Sequence, residues 1–320
     1  MQYVTTLDHL VDLSGRTALV VGATAGIGAS IAAQLASMNA MTVIVGRDAA
    51  KLKNSFDALS ASAPGRIHAQ QADLADLKSI RIAANALSQA FPRIDLVIAN
   101  ASVQYSGKCR TFTVDGFESS FGINHLGNAA LLLGLEGPIR AAGGRVVIVA
   151  SEAHRRAKGL PIDDLMGDRS FDGVRAYNRS KLANILFARE LAARWTNVTV
   201  FSAHPGGVLT DMLLRTVAGN WFFRVMFKLM RSQLLTADQA AAGIFRVAVD
   251  EMLEDSSGTY FELGRRAKSS ALAMNDELGR QLYDATLRYL GQREPPPGRK
   301  RSARQTLASF CTARPPTPAR

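Results

Sequence analysis

Tyr177 and Lys181 stand four residues apart, the spacing that puts two side chains on one face of an α-helix. A phenol can carry a proton, but its ordinary pKa of about 10 suits proton transfer at neutral pH poorly. A neighbouring ammonium favours the phenolate and is expected to lower that value. Such a pair arises often by chance, so its meaning depends on what surrounds it. Ser151 ends the run RVVIVAS and falls at the C-terminal edge of an expected strand. A hydroxyl there can donate to a substrate carbonyl or alkoxide and steady the developing charge. Asn124 lies inside an apolar stretch expected to be helical. A buried amide needs partners. A water linking it to Lys181 in a proton relay is one reading, and a structural distortion of the helix is the other.

Other chemistries find less support. No G-x-S-x-G occurs, which argues against a hydrolase. His9, His68, His125, His154 and His204 show no close ligand spacing, so no metal is expected. The only cysteines, Cys109 and Cys311, suggest neither a disulfide framework nor a thiolate cluster.

The elements that must position these residues alternate from residue 17 to about 203. Apolar runs at 17–21, 41–46, 94–99, 144–150 and 197–203 read as strands, with a weaker one at 66–70. They lack polar alternation, the mark of parallel strands covered on both faces. Helices are expected at 27–38, 49–60, 75–91, 114–135 and 176–194. Helices at 237–250 and 276–290, with a short strand at 258–262, close the body. The fold class is α/β: a doubly wound, three-layer Rossmann-type fold with a mostly parallel sheet. Residues 1–290 are expected to form one domain.

The first strand runs into GATAGIG at 22–28. Gly22 permits a tight turn, Gly26 lets backbone approach a pyrophosphate, and Gly28 allows close helix packing. The following helix N-terminus offers unpaired N–H groups to phosphates. The bland reading is a flexible turn. The second strand ends VIVGR, with Gly46 where an acidic residue would hold a ribose 2′-hydroxyl and Arg47 where a guanidinium could pair with a 2′-phosphate. NADP is therefore expected over NAD, unless Arg47 is simply a solvated surface arginine. Asp48 reads as a helix cap. Asp73 is placed to accept a hydrogen bond near an adenine amino group, with Leu74 covering the ring. Capping a helix is its other reading.

Taken in order, the motifs resemble the short-chain dehydrogenase/reductase family, especially its retinol-dehydrogenase-like branch. They are GATAGIG at 22–28, RDAAK at 47–51, DL at 73–74, ANAS at 99–102, NHLG at 124–127, ASEAH at 150–154, YNRSK at 177–181, KLANILFARELA at 181–192 and HPGGVLT at 204–210. The resemblance spans roughly residues 13–290. It implies a catalytic tetrad of Asn124, Ser151, Tyr177 and Lys181, with Tyr177 as general acid or base and Lys181 also binding ribose. It implies cofactor contacts from Gly22, Thr24, Ala25, Gly26, Ile27, Gly28, Arg47, Asp73, Leu74, Asn100, Ala101, Ser102, Tyr177, Lys181, Pro205, Gly206, Val208 and Thr210. The family pattern after the fourth strand is Asn-Asn-Ala-Gly. Here Ala99 removes a polar anchor, and Ser102 adds a side chain where glycine would let the cofactor come close. The stretch between Ser151 and Tyr177 looks like this branch's longer substrate-side loop.

The expected function is hydride transfer between NADP and a lipophilic alcohol or carbonyl. A nucleotide-binding sensor or scaffold with little turnover is the alternative. The formal net charge is +11, and residues 291–320 hold seven Lys or Arg against one Glu. That basic, proline-rich segment is expected to be disordered. It makes no specific nucleic-acid reader of the folded body, because basic and aromatic residues do not interleave there. Within 212–235, large apolar residues alternate with arginines. Ordinary core packing, a substrate lid over 207–235, and a membrane-surface or partner patch are its three readings. The resemblance suggests a homo-oligomer through the helices at 114–135 and 176–194, although its branch includes monomeric and membrane-associated members. No secretory signal or membrane span is expected, and the expected location is cytoplasmic, with weak membrane-surface contact as the variant.

Overall fold

The computed structural model describes residues 11–105, 107–208 and 234–292. Most of the expected lid, Thr210 and nearly all of the basic segment lie outside the described residues.

Eight strands form one sheet in the order β3-β2-β1-β4-β5-β6-β7-β8. They are β1 (Thr17–Val21), β2 (Met41–Gly46), β3 (Ile67–Gln71), β4 (Leu96–Ala99), β5 (Arg145–Val149), β6 (Thr199–His204), β7 (Tyr260–Glu262) and β8 (Arg265–Arg266). The first seven pair in parallel and β8 pairs antiparallel at the edge. Alternate residues of one strand serve two cores. Leu19 and Val21 face the layer of α3 (Leu77–Ala90) and α7 (Gly173–Arg194), where Ile80, Leu87, Phe187 and Leu191 are buried. Ala18 and Val20 face α1 (Gly26–Ser37) and α8 (Ala237–Val249), where Ile31, Leu35, Ile244 and Phe245 are buried. This double covering explains the continuous apolar strands.

β1 lies between β2 and β4, so the chain winds outward in both directions from it. The C-terminal ends of β1 and β4 therefore border the crevice where such sheets receive ligands. After α2 (Ala49–Ser62) the order follows the sequence expectation closely as far as β4.

The expected continuous helix at 114–135 is not what forms. Helix starts only at α4 (Ser119–Phe121), widens into a π-turn at Gly122–Gly127, and resumes as α5 (Asn128–Gly134) and α6 (Glu136–Ala142). A π-turn carries an extra residue and disturbs the regular carbonyl partners. Asn128 Nδ2 compensates, donating to Ile123 O at 3.2 Å and Asn124 O at 3.1 Å. The turn also sits tight against the neighbouring loop: a Cβ on Gly127 would lie 2.5 Å from Leu74 O.

A last helix, α9 (Asp276–Tyr289), packs along α7. His125 in the π-turn meets Thr286 Oγ1 of α9 at 2.8 Å and packs against Phe121 and Phe187. Fourteen residues of α7 are buried.

Candidate active site

The Gly-rich turn crosses from β1 to α1. Gly22 has φ +80°, and a Cβ there would lie 2.8 Å from Ala101 Cα, so only glycine lets the turns after β1 and β4 touch. Asn100 Nδ2 ties them together by donating to Gly22 O at 3.2 Å. Gly26 has φ +56° and open space where a Cβ would stand. Ala25, the α1 N-cap, provides no side-chain cap, and no acidic residue occupies the first turn. The first N–H groups thus face an open cradle, the arrangement that receives a phosphate. Thr24, Ala25 and Gly26 border it, while Ile27 packs with Val208, Leu235 and Leu263. That apolar contact brings the turn after β6 beside the cradle, with Pro205 and Gly206 between. The residues fit a dinucleotide diphosphate.

At the end of β2, a Cβ on Gly46 would lie 2.5 Å from Thr24 Cγ2. An acidic side chain at that position would have to displace Thr24, which accounts physically for the missing carboxylate. Arg47 is exposed, and its carbonyl accepts from Gln71 Nε2 at 2.9 Å. Asp48 caps α2 by accepting from Lys51 N. Asp73 does not cap α3: Asp76 does, and Asp73 Oδ1 instead accepts from Ala75 N at 2.9 Å. Leu74 is buried against the π-turn and the α3 core rather than standing free to cover a ring.

Ser151 follows β5 and caps a 3-10 turn at Glu152–Arg156 through Ala153 N at 3.2 Å. Tyr177 and Lys181 project from α7, both more than nine-tenths buried. Lys181 Nζ donates to Val149 O at 3.2 Å, and Asn184 Nδ2 reaches the same carbonyl at 3.3 Å. The C-terminal end of β5 is thereby fastened to α7. Burial pushes the Lys181 ammonium down to about 8. Burial also pushes the Tyr177 phenol up, while the nearby hydroxyls of Ser151 and then Ser102 pull it back only in part. This reverses the expectation that Lys181 would lower the tyrosine. Its ammonium is 5.7 Å from the ring centroid, and desolvation of the phenolate is the stronger effect.

Asn124 stands in the π-turn, fully buried. Its Oδ1 accepts from Val103 N at 2.7 Å, and its Nδ2 donates to Val103 O at 2.8 Å and Ser180 Oγ at 3.0 Å. Ser180 Oγ in turn donates to Tyr177 O at 2.8 Å. Both ends of the side-chain amide are engaged by protein, which makes it a clamp between the post-β4 loop and α7. Asn128, Ser180 and Asn184 belong to the same polar framework and went unsingled in the sequence. Their one sequence signal was amides and a hydroxyl at helical spacing in apolar stretches.

Glu152, His204 and Glu262 also converge, with potential ligand atoms within 4.8 Å of one another. Arg155 pairs with Glu152 at 2.9 Å and reaches Glu262 at 4.0 Å, so a side-chain cation already balances these carboxylates. Burial pushes His204 down to about 4.

A family model described as short chain dehydrogenase matches residues 16–220. The chain is 35% identical over 280 residues to a protein of Streptomyces sp. (strain C5) assigned as a daunorubicin C-13 ketoreductase, covering 87% of this chain and 94% of that one. It is 34% identical over 287 residues to human retinol dehydrogenase 12, covering 88% and 89%. A solved short chain dehydrogenase from Burkholderia cenocepacia J2315 in complex with NADP superposes with TM-score 0.64 at 27% identity, covering 78% of this chain and 96% of that one. The chain belongs to the short-chain dehydrogenase/reductase family of oxidoreductases and is similar to its retinol-dehydrogenase-like branch. Among the described residues, no helix is long and apolar enough to cross a membrane.

Proposed function

We propose that this protein is an NADP(H)-preferring oxidoreductase acting on a lipophilic alcohol or carbonyl. The observation that carries the reading is the convergence of Ser151, Tyr177 and Lys181 at the sheet edge that also bears the open α1 cradle. When bound there, the nicotinamide supplies or accepts the hydride. Tyr177 passes its proton to the carbonyl oxygen in reduction and recovers it in oxidation. Ser151 Oγ donates to the same oxygen. Lys181 binds the nicotinamide ribose. A phenol held above its ordinary pKa stays protonated at neutral pH, which suits carbonyl reduction. The NADP preference is supported by Gly46, whose hydrogen leaves Thr24 room, and by the exposed Arg47. A lipophilic substrate is supported by exposed Tyr105 and Val174 beside the start of α7, and by the names of the retinol dehydrogenase relatives.

Single-turnover hydride transfer, followed by nicotinamide absorbance over a panel of alcohols and carbonyls with both cofactors, tests the reading. Tyr177→Phe keeps the ring and removes the proton. It is expected to bind cofactor normally and to slow transfer by about 10²-fold or more. Arg47→Ala is expected to narrow the preference for NADP. Wild-type transfer in Tyr177→Phe would remove Tyr177 as the proton carrier, absence of hydride transfer across the whole panel would return the protein to the sensor or scaffold reading, and equal binding of NAD and NADP by the wild type would remove the cofactor preference.

A further inference from the structure

Three residues after β4 are held with unusual completeness. Asn100 Nδ2 is bound to Gly22 O. Ala101 O accepts from Asn128 Nδ2 at 3.0 Å. Val103 is gripped at both backbone groups by the Asn124 amide, at 2.7 and 2.8 Å. Ser102 lies between the last two clamps, so its backbone has little freedom to turn its side chain elsewhere. Its Oγ is closed off from solvent and completes no hydrogen bond. A buried hydroxyl left in that state costs free energy unless it acquires a partner. The neighbouring group able to use it is the Tyr177 hydroxyl, on which Ser102 and Ser151 both act. The same framework extends to the tyrosine itself, because Asn124 binds Ser180 Oγ and Ser180 binds Tyr177 O. One set of side chains therefore ties the loop that bears the serine to the helical turn that carries Tyr177.

We propose that Ser102 is a positioning residue for Tyr177, its hydroxyl serving as a hydrogen-bond donor to the phenol oxygen that stays in place when Ser151 donates its hydrogen bond to the substrate oxygen. The proposal rests on Tyr177 being the proton carrier. As the phenol gives up its proton, negative charge grows on its oxygen, and a donor held in place beforehand meets that charge without rearrangement. Ser102 thus offsets part of the desolvation that burial imposes on the phenolate.

The test is the tyrosinate titration of the cofactor-free protein by ultraviolet difference absorbance. The chain has six tyrosines, so each titration is taken as the difference from the same protein carrying Tyr177→Phe. Ser102→Ala is expected to raise the Tyr177 midpoint by about half to one pH unit, the shift that loss of one neutral hydrogen bond produces. Ser102→Thr keeps the hydroxyl and is expected to hold the wild-type midpoint. The alkaline limb of the oxidation pH profile should move upward in Ser102→Ala by the same amount. A serine that merely fills space would change the melting temperature and leave both midpoints still. Should Ser102→Ala fold poorly, Ser102→Gly and a Ser151→Ala background provide the same comparison. An unmoved midpoint in these variants overturns the proposal, even if Tyr177→Phe abolishes turnover. A moved midpoint beside a silent Tyr177→Phe would sustain the contact and overturn the proton-carrier reading on which its role depends.

Discussion

Lys181 is the residue on which burial and chemistry pull hardest against each other. Its ammonium is more than nine-tenths buried and donates a hydrogen bond to Val149 O. Taking a lysine out of water disfavours its charged form, which is why its pKa falls to about 8. In the unfolded chain the group titrates near about 10.4. Between these values the unfolded chain binds more protons than the native one, so native stability rises with pH across that window. Below about 8 the charge is present in both states, and the native state bears the desolvation in full. Lys181→Met keeps the apolar stem and removes the charge. It is expected to stabilise the protein at pH 7 by roughly 1–3 kcal/mol while impairing cofactor binding and turnover. Urea unfolding of both proteins from pH 7 to 10 checks this: the advantage of the variant should shrink as pH passes 8. A constant difference across that range would mean that Lys181 is not held at the expense of stability. The lysine was legible in the sequence from its spacing to Tyr177. The dominance of desolvation was not, because spacing gives no burial.

The central strands β1, β2, β4, β5 and β6 were legible because each is buried on both faces and must be apolar along its length, as in Ala18 to Val21. The 114–135 segment was legible as helical and apolar, but its π-turn was not, since one extra residue in a turn leaves the hydrophobic spacing nearly unchanged. The two-residue strand β8, Arg265–Arg266, is exposed and carries no apolar signal at all. The candidate site followed the same division: Ser151, Tyr177 and Lys181 lie where strand end and helix face predicted, whereas the clamp made by Asn124 and Asn128 depends on the irregular turn. Asn128 is the residue that makes that turn affordable in hydrogen bonds, since its Nδ2 serves Ala101 O, Ile123 O and Asn124 O together. Asn128→Leu, of similar volume, leaves those carbonyls without it. It is expected to cost about 2–3 kcal/mol, and to loosen the loop bearing Asn100 and Ser102. Chemical unfolding gives the first quantity and cofactor titration the second. A variant with wild-type stability and cofactor affinity would show that the π-turn holds the loop without Asn128.

At the scale of the whole molecule, two buried histidines join the end helices and the last strands to the catalytic layer. His125 links the π-turn to α9 through Thr286. His204 ends β6, whose neighbour β7 begins the C-terminal part of the sheet. Burial pushes each of them down to about 4, with a hydrogen bond to Asn184 opposing it at His125 and the Glu152 carboxylate opposing it at His204. Both are therefore neutral in the native protein at neutral pH. In the unfolded chain a histidine takes up its proton near about 6.5. As pH falls from 6.5 toward 4, the unfolded chain binds protons that the native chain refuses, and stability is lost. The loss is complete only once pH has passed below the native values. Two such groups are expected to remove about 5 kcal/mol between pH 7 and pH 4.5, roughly half from each. His125→Gln retains an amide able to meet Thr286 Oγ1 but carries no titrating group. It should flatten the acid slope by roughly half, whatever it does to stability at pH 7. The measurement is urea unfolding of both proteins at matched ionic strength, followed by far-ultraviolet circular dichroism. Since α9 is fastened to the site layer through this histidine, hydrogen exchange should also find α9 less protected at pH 5 than at pH 7, after correction for the intrinsic pH dependence of exchange. An unchanged acid slope in His125→Gln would remove His125 from the account and leave the acid sensitivity to His204, to His154, which burial also pushes down, and to the carboxylates.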